Sequence, residues 1–152
     1  MKNSTRWEVF FHDEFDAEFD AFSNDVQDAL LAVAAAVREL GPDADRPHVG
    51  TLKNPKHPNM KELRFETNNG AEIWRAAFAF DPRRAAIILV AADKQGIDQK
   101  KFYRDLLKKA NARFDDHLKS LKATKAAQPA DTDKVTVKNQ EIENGKKSRR
   151  GH

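Results

Sequence analysis

The chain has 152 residues, a formal net charge of +3 and no cysteine. This length accommodates one domain of ordinary size, and the lack of cysteine excludes disulfides, thiolate catalysis and Cys-based metal sites. No apolar run approaches the roughly 20 residues that span a bilayer, and acidic residues occupy the N-terminal stretch where a signal peptide needs an apolar core. We therefore expect a soluble, cytoplasmic protein with no membrane partner.

Charge is unevenly distributed along the chain. Residues 1–45 contain 3 Lys/Arg and 11 Asp/Glu, whereas residues 46–113 contain 15 and 7. A basic segment that also supplies most of a predicted sheet is typical of a phosphate-binding surface. The alternative is that the acidic and basic halves neutralise each other in the fold.

The N-terminal third predicts a strand followed by a helical hairpin. Residues 6–11 (RWEVFF) are rich in the aromatic and β-branched residues that favour strands. Apolar residues then recur at helical spacing in two stretches, and Asn24 is the predicted N-cap of the second, with Gln27 as its capping-box partner. Gly41 and Pro42 predict the end of this second helix.

A meander of strands is predicted next. Residues 43–58 are rich in turn-forming residues, with a short strand at residues 49–52, and three further strands follow within residues 60–94. Asn68-Asn69-Gly70 predicts the first hairpin, because Asn and Gly tolerate positive φ. Asp81-Pro82-Arg83-Arg84 predicts the second turn, where proline pre-sets φ.

Side chains alternate between two faces of this predicted sheet. In the middle strand Trp74 and Phe78 share one face, and Arg75 lies on the other among small residues. Arg64 alternates with Leu63, so we expect it on the same face as Arg75. Helices are expected to cover the aromatic face and to leave the face with the arginines open to solvent.

A last helix is predicted to begin at or beside Asp98, with apolar residues on one face at Phe102, Leu106, Ala110 and Phe114. The order β-α-α-β-β-β-β-α predicts an α+β fold. It combines a small antiparallel meander sheet with the N-terminal helical hairpin and the C-terminal helix packed on one face.

The C-terminal residues differ in composition. Residues 122–152 contain 8 Lys/Arg, 4 Asp/Glu and few large apolar residues. Such a segment buries too little apolar surface to offset the entropy of ordering it. We expect one folded domain over residues 1–121, followed over residues 122–152 by a basic, disordered tail or by a basic arm that adds non-specific affinity for nucleic acid.

Several motifs occur together in the basic half: Glu62-Leu63-Arg64, Trp74-Arg75-x-x-Phe78, the hydrophobic strand at residues 85–92, Lys94 and the closing segment FYRDLLKKANARFDDHL. In their order and spacing, over about residues 6–120, the sequence resembles the RelE/ParE toxin superfamily and, within it, the phage-derived HigB-like branch. The resemblance implies a RelE-like α+β domain. It also implies the toxin of a type II toxin–antitoxin system, which cleaves mRNA on the ribosome and is neutralised by a cognate antitoxin protein. Because the ParE group inhibits DNA gyrase, a non-catalytic inhibitor or adaptor is the alternative.

Metal-independent RNA cleavage uses the substrate's own 2′-hydroxyl as nucleophile, so no metal or cofactor is expected. The protein must align that oxygen and stabilise negative charge on the phosphate. Guanidinium groups suit the second task, and Arg75 and Arg64, on neighbouring strands, are the predicted phosphate clamp. The alternative for Arg75 is an ion pair with Glu62 or Glu72.

Three further residues are catalytic candidates. Lys94 could protonate the leaving 5′-oxygen or hold the phosphate, or be an ordinary exposed lysine. Asp93 is a candidate base, although an ordinary carboxylate pKa makes it a weak one. His57 has a suitable intrinsic pKa but lies in a proline-flanked loop. The predicted RNA contacts are Lys53, Lys56, Lys61 and Tyr103, the last by stacking on a base unless it packs within the fold.

The end of the last strand departs from the superfamily pattern. Nucleases of the superfamily often carry a catalytic His or Tyr there, and the HigB-like branch often carries a His or a Lys-Lys pair. This chain has Ala91-Ala92-Asp93-Lys94-Gln95. An Arg/Lys site stabilises charge but supplies general acid and base poorly, so activity could be weak, depend on ribosomal RNA groups or be absent.

Overall fold

The computed structural model describes residues 6–126. Within them lie five strands and three α-helices, in the order β-α-α-β-β-β-β-α. The strands are β1 (Glu8–Phe11), β2 (Val49–Thr51), β3 (Met60–Thr67), β4 (Glu72–Phe80) and β5 (Ala85–Asp93), and the helices are α1 (Asp13–Ala21), α2 (Asn24–Leu40) and α3 (Gln99–Ala126). The α+β class and the element order are confirmed.

The five strands form one sheet in the order β1-β5-β4-β3-β2. Strands β2 to β5 make the predicted antiparallel meander, whereas β1 pairs with β5 in parallel. The sheet is therefore mixed, and the predicted antiparallel meander makes four of its five strands. No tight turn constrains β1, because the helical hairpin separates it from the meander, and it pairs with the free edge of β5.

Helices cover both faces of the sheet. Helices α1 and α2 pack on the face that carries Phe65 and Phe78. Helix α3 packs on the opposite face, through an apolar stripe that includes Phe102 and Phe114. The expectation that all the helices share one face is therefore wrong for α3. Small residues such as Ala77 leave the space that this helix fills.

The helical hairpin is fixed by local capping. The N-cap of α2 is Ser23, whose Oγ accepts a backbone N–H of the first turn at 3.3 Å, so the cap lies one residue before the predicted Asn24. Gln27 is not a capping partner; its Nε2 donates to the Phe19 carbonyl at 2.8 Å and ties α2 to α1. Gly41, with φ of +57°, ends α2 as predicted.

Two turns set the register of the meander. Residues Asn68–Gly70 all have positive φ, as the hairpin prediction required. In the second turn, Asp81 Oδ1 accepts two backbone N–H groups at 2.8 and 3.0 Å. The resulting register places Arg64 directly opposite Arg75.

Helix α3 starts where the sequence predicted, with Asp98 Oδ2 accepting a backbone N–H of the first turn at 3.0 Å. It continues to Ala126, beyond the predicted domain boundary at residue 121. The remainder of the predicted tail, residues 127–152, lies outside the described residues. Over residues 6–126, none of the helices combines the length and the apolar character that crossing a bilayer requires.

Candidate nucleic-acid interface

A cluster of four side chains lies where β3 and β4 meet α3. Arg64 and Arg75 are direct cross-strand partners, so they share a face, as the alternation along both strands predicted. Like charges directly opposite each other destabilise a sheet. Glu62 compensates, because its Oε2 lies 3.2 Å from Arg64 Nε and its Oε1 lies 3.8 Å from Arg75 Nε. One carboxylate thus stands between two guanidinium groups.

Tyr103 of α3 closes over these residues. Its hydroxyl donates to Glu62 Oε1 at 2.8 Å and accepts from Arg75 Nε at 3.3 Å. Arg75 also donates from Nη1 to the Trp74 carbonyl at 3.0 Å. We call Glu62, Arg64, Arg75 and Tyr103 the arginine cluster.

The two arginines differ in accessibility. Arg75 is buried, and Glu62 is only 4% exposed, whereas the Arg64 side chain keeps 29% of its surface. The expectation that this face is open to solvent is therefore wrong around Arg75, because α3 covers it. Only Arg64 of the predicted clamp reaches the surface.

The protonation state of Tyr103 follows from its surroundings. Burial and the hydrogen bond to the Glu62 carboxylate raise the pKa of this phenol above its ordinary value. The hydroxyl therefore stays protonated near neutral pH. It can donate a hydrogen bond or a proton to an oxygen anion, but it cannot act as a base there.

Beside the cluster, a groove of about 580 Å³ runs between the edge of the sheet and α3. Its charged lining consists of five cationic side chains and one carboxylate: Arg46, Lys53, Arg64, Lys100, Arg104 and Glu62. The Tyr103 ring and apolar side chains complete the wall. We call this the basic groove, and its size is that of ordinary small-ligand sites.

A glycine on the edge strand gives Glu62 its space. Gly50 of β2 is the register partner of Glu62. A Cβ atom added at Gly50 would lie 3.1 Å from Glu62 Oε2, closer than ordinary van der Waals contact. The missing side chain therefore allows the carboxylate to lie between the two arginines.

The three predicted lysines separate into two places. Lys53 lines the basic groove. Lys56 and Lys61 line an adjoining depression of about 510 Å³. Lys56 Nζ pairs with Asp115 Oδ2 at 2.7 Å, and Lys61 Nζ donates to the Pro42 carbonyl at 3.0 Å.

Lys94 follows the end of β5 and lies beside the beginning of β4. Its backbone N–H donates to the carbonyl of Ile73 at 2.8 Å. Ile73 is the residue of β4 that lies two positions before Arg75. The neighbouring Asp93 carboxylate accepts the backbone N–H groups of Ile73 and Gln95 at 3.0 and 2.9 Å. In this arrangement Asp93 holds the strand end in place.

His57 lies elsewhere. Its Nε2 is 2.9 Å from Asp115 Oδ1, and its ring packs edge-on against Phe114, with centroids 4.8 Å apart. Asp115 is three helical turns beyond Tyr103 on α3, about 18 Å at a rise of 1.5 Å per residue. The structure therefore does not bring His57 together with the arginine cluster.

Sequence reasoning did not single out several residues of the groove. Lys100, Arg104 and Leu107 were missed, although with the predicted Tyr103 they have the i, i+3, i+4, i+7 spacing of one helix face, which could have identified them as one surface. Glu62 was named as part of a family motif and as an ion-pair partner of Arg75, and not as a residue of the groove. Arg46, in the proline-rich segment, carries no comparable signal.

Comparison with known proteins gives the family. Residues 17–115 match the family described as "Phage derived protein Gp49-like (DUF891)". The chain is 34% identical over 109 residues to "Putative toxin HigB2" of Mycobacterium tuberculosis (strain ATCC 25618 / H37Rv), covering 72% of this chain and 53% of that protein. It is 38% identical over 97 residues to "Putative toxin HigB3" of the same strain, covering 62% of this chain and 81% of that protein. The chain thus spans about half the length of HigB2. No solved structure matches it significantly.

The chain is an α+β domain with a cationic groove on its surface, and the family match covers most of that domain. The protein belongs to the phage-derived Gp49-like family. The resemblance to the HigB-like branch of the RelE superfamily is confirmed.

Proposed function

We propose that this protein is the toxin of a type II toxin–antitoxin system and that it inhibits translation by cleaving mRNA on the ribosome. Its similarity to the two HigB proteins supports the toxin class. The observation that carries the RNA target is the basic groove, with five cationic side chains and one carboxylate in its charged lining. A polyanionic strand is the ligand that such a surface attracts, through phosphate contacts that do not read sequence.

In the proposed reaction the 2′-oxygen of a nucleotide attacks the adjacent phosphorus, and the bond from phosphorus to the 5′-oxygen breaks. The products are a 2′,3′-cyclic phosphate and a 5′-hydroxyl. Arg64 stabilises the negative charge that develops on the phosphate, because it lines the groove and remains protonated. Tyr103 donates the proton that the leaving 5′-oxygen gains.

The base that accepts the proton of the 2′-hydroxyl is assigned to the ribosome. Among the described residues that line the groove, Glu62 is the only carboxylate, and it already lies between two arginines. His57 and Asp93 are held by contacts of their own. The lack of an available base among the described residues of the groove gives a physical reason for cleavage to depend on the ribosome.

A second candidate is a non-catalytic inhibitor or adaptor on the same fold, with a ParE-like action on gyrase as one form. The pairing of both arginines with Glu62 favours it, together with the burial of Arg75. A cluster whose arginines are already paired within the fold can support binding without chemistry.

Primer extension on cellular mRNA after brief induction separates the two candidates. Discrete breaks within translated regions support the nuclease, whereas growth arrest with intact mRNA and loss of DNA supercoiling supports the gyrase inhibitor. The test variant is Arg64→Ala in the groove, and the matched control is Arg83→Ala at the exposed β4–β5 turn. We expect the first to abolish both breaks and arrest and the second to retain them. Equal breaks in both variants would contradict the assignment of the groove.

The partner implied by this class is a cognate antitoxin protein. An acidic segment of the antitoxin that enters the basic groove would block RNA by charge competition. Purified antitoxin should then displace RNA from the groove, and the displacement should weaken as salt is raised.

A further inference from the structure

We infer that the Glu62 carboxylate occupies the position of the scissile phosphate and that Glu62 is a built-in competitor which the phosphodiester must displace. This inference rests on the proposed function, because it concerns the regulation of the same groove. It assigns to Glu62 a role in setting the affinity of the site, separate from catalysis.

The first support is the charge balance of the arginine cluster. Two arginines directly opposite each other on one sheet face need an anion between them. The chain supplies one carboxylate for two guanidinium groups, so the site retains a positive charge. A phosphodiester also carries one negative charge, and it can replace the carboxylate without changing this balance.

The second support is the quality of the contacts. The Arg75–Glu62 distance of 3.8 Å is that of an ion pair and not of a hydrogen bond. Arg64 Nε, although it is buried and lies 3.2 Å from Glu62 Oε2, makes no hydrogen bond in the described structure. The carboxylate therefore holds the arginines mainly by charge. A phosphate, whose oxygens match a guanidinium fork, can satisfy these donors better.

The third support is the route to the site. Glu62 and Arg64 both line the basic groove, so a phosphate that enters the groove can reach this carboxylate and Arg64 together. The edge strand opposite Glu62 has a glycine, and no side chain there holds the carboxylate in place. Displacement of Glu62 also releases the Tyr103 hydroxyl, which donates to Glu62 Oε1 in the structure.

The test compares Glu62→Gln with the matched control Glu66→Gln. Gln keeps the size of Glu and can still accept the Tyr103 hydrogen bond, but it has no charge. Glu66 lies on the same strand, four residues further along and exposed, so its variant makes the same change in net charge outside the cluster. The probes are inorganic phosphate and a labelled single-stranded RNA in which 2′-O-methyl groups prevent cleavage, both at constant ionic strength.

We expect Glu62→Gln to bind both probes about tenfold more tightly than wild type, since one unit charge has been removed from the immediate site. Glu66→Gln should change the affinity by less than about twofold, because its charge is exposed and screened. An affinity of Glu62→Gln equal to or below that of Glu66→Gln would overturn the inference. In that case Glu62 would be a support for the arginines and not a competitor.

Stability measurements keep the test decisive if Glu62→Gln folds poorly. Removal of the anion leaves two arginines unneutralised, so the variant should melt at a lower temperature than wild type, and added phosphate should restore its Tm more than that of Glu66→Gln. Glu62→Asp keeps the negative charge but moves it away from the arginines by one methylene. We expect its affinity for both probes to lie between those of wild type and Glu62→Gln. Weaker binding by Glu62→Asp than by wild type would contradict the competitor role.

None of these measurements requires catalysis. Tighter phosphate binding by Glu62→Gln in a protein that cleaves no mRNA would support the inference while the proposed nuclease function fails. RNA cleavage by wild type, with no gain in the phosphate affinity of Glu62→Gln, would support the proposed function and contradict the inference.

Discussion

Arg64 and Arg75 are opposite each other on adjacent strands, yet only the first is accessible from the basic groove. The Arg64 side chain is 29% exposed, whereas that of Arg75 is 11% exposed beneath Tyr103. A ligand therefore meets Arg64 directly. Arg75 acts from below, by holding the Glu62 carboxylate and the Tyr103 hydroxyl.

This difference predicts separate effects for the two alanine variants. Arg75→Ala removes the hydrogen bonds to Tyr103 and to the Trp74 carbonyl. We expect it to lower the free energy of unfolding by about 1–3 kcal/mol and to relieve growth arrest. Arg64→Ala should relieve growth arrest with a loss of less than about 1 kcal/mol, because its ion pair is partly solvated. Urea denaturation and growth after induction measure the two effects, and a fully toxic Arg75→Ala variant of wild-type stability would contradict this assignment.

Much of the sheet could be predicted from local sequence signals. Asn68-Asn69-Gly70 and the turn at Asp81 gave the hairpins, and the alternation of residues placed Arg64 and Arg75 on one face. These features depend on backbone conformation and on the period of two along a strand, both of which are local.

The packing of α3 on the sheet face that carries Arg64 and Arg75 could not be predicted in the same way. Alternation shows which residues share a face but not which helix packs on it, and the placement of α3 depends on contacts distant in sequence. The apolar stripe of α3 packs against the sheet at small residues such as Ala77, and this contact determines which face the helix covers. The parallel pairing of β1 with β5 is likewise non-local. The position of Glu62 between the two arginines also depends on α3, because the Tyr103 hydroxyl of this helix donates a hydrogen bond to the Glu62 carboxylate.

Tyr103→Phe tests the hydroxyl that closes the arginine cluster. The change keeps the ring but leaves Glu62 without its O–H donor and Arg75 Nε without its acceptor. We expect the free energy of unfolding to fall by about 1–2 kcal/mol and mRNA breaks to decrease, while binding of 2′-O-methyl RNA persists. A denaturant titration, an anisotropy titration and primer extension measure these three quantities. Unchanged cleavage would exclude Tyr103 as the proton donor.

The cations of the basic groove predict a defined salt dependence of RNA binding. Each of Lys53→Ala, Lys100→Ala and Arg104→Ala should reduce the slope of log K against log salt by about 0.7, the value expected for one phosphate contact to a single strand. The matched control is Lys119→Ala, at an exposed position of α3 outside the groove, and it should leave the slope unchanged. Anisotropy titrations over a series of KCl concentrations give the slopes. Equal slopes for all four variants would place the RNA elsewhere.

The ion pair between Glu18 and Arg113 predicts how stability depends on pH. Arg113 donates two hydrogen bonds to the Glu18 carboxylate and another to the Leu89 carbonyl of β5. The hydrogen bond from Arg113 lowers the pKa of Glu18 below its ordinary value of 4.5. Because the native pKa is the lower one, the stabilisation is complete above pH 4.5 and is lost as the pH falls through the native pKa.

Glu18→Gln should therefore be less stable than wild type at pH 7, and the difference should shrink as the pH is lowered below 4.5. Urea denaturation over this range measures it. Glu66→Gln, which removes an exposed carboxylate, is the control and should show little difference at any pH. A Glu18→Gln deficit that persists in acid would mean that packing, and not the charge, is responsible.

His57 is expected to stabilise the docking of α3 and to have no part in RNA cleavage. Its ring contacts Phe114 and its Nε2 lies 2.9 Å from Asp115, far along α3 from Tyr103. We expect His57→Ala to lower the free energy of unfolding by about 1–2 kcal/mol, through the lost packing and the lost hydrogen bond. Once the amounts of folded protein are matched, mRNA breaks should be as frequent as in wild type, whereas Arg64→Ala should remain inactive at the same level. A His57→Ala variant that folds normally but no longer cleaves mRNA would restore His57 as a catalytic candidate and would require α3 to move during the reaction.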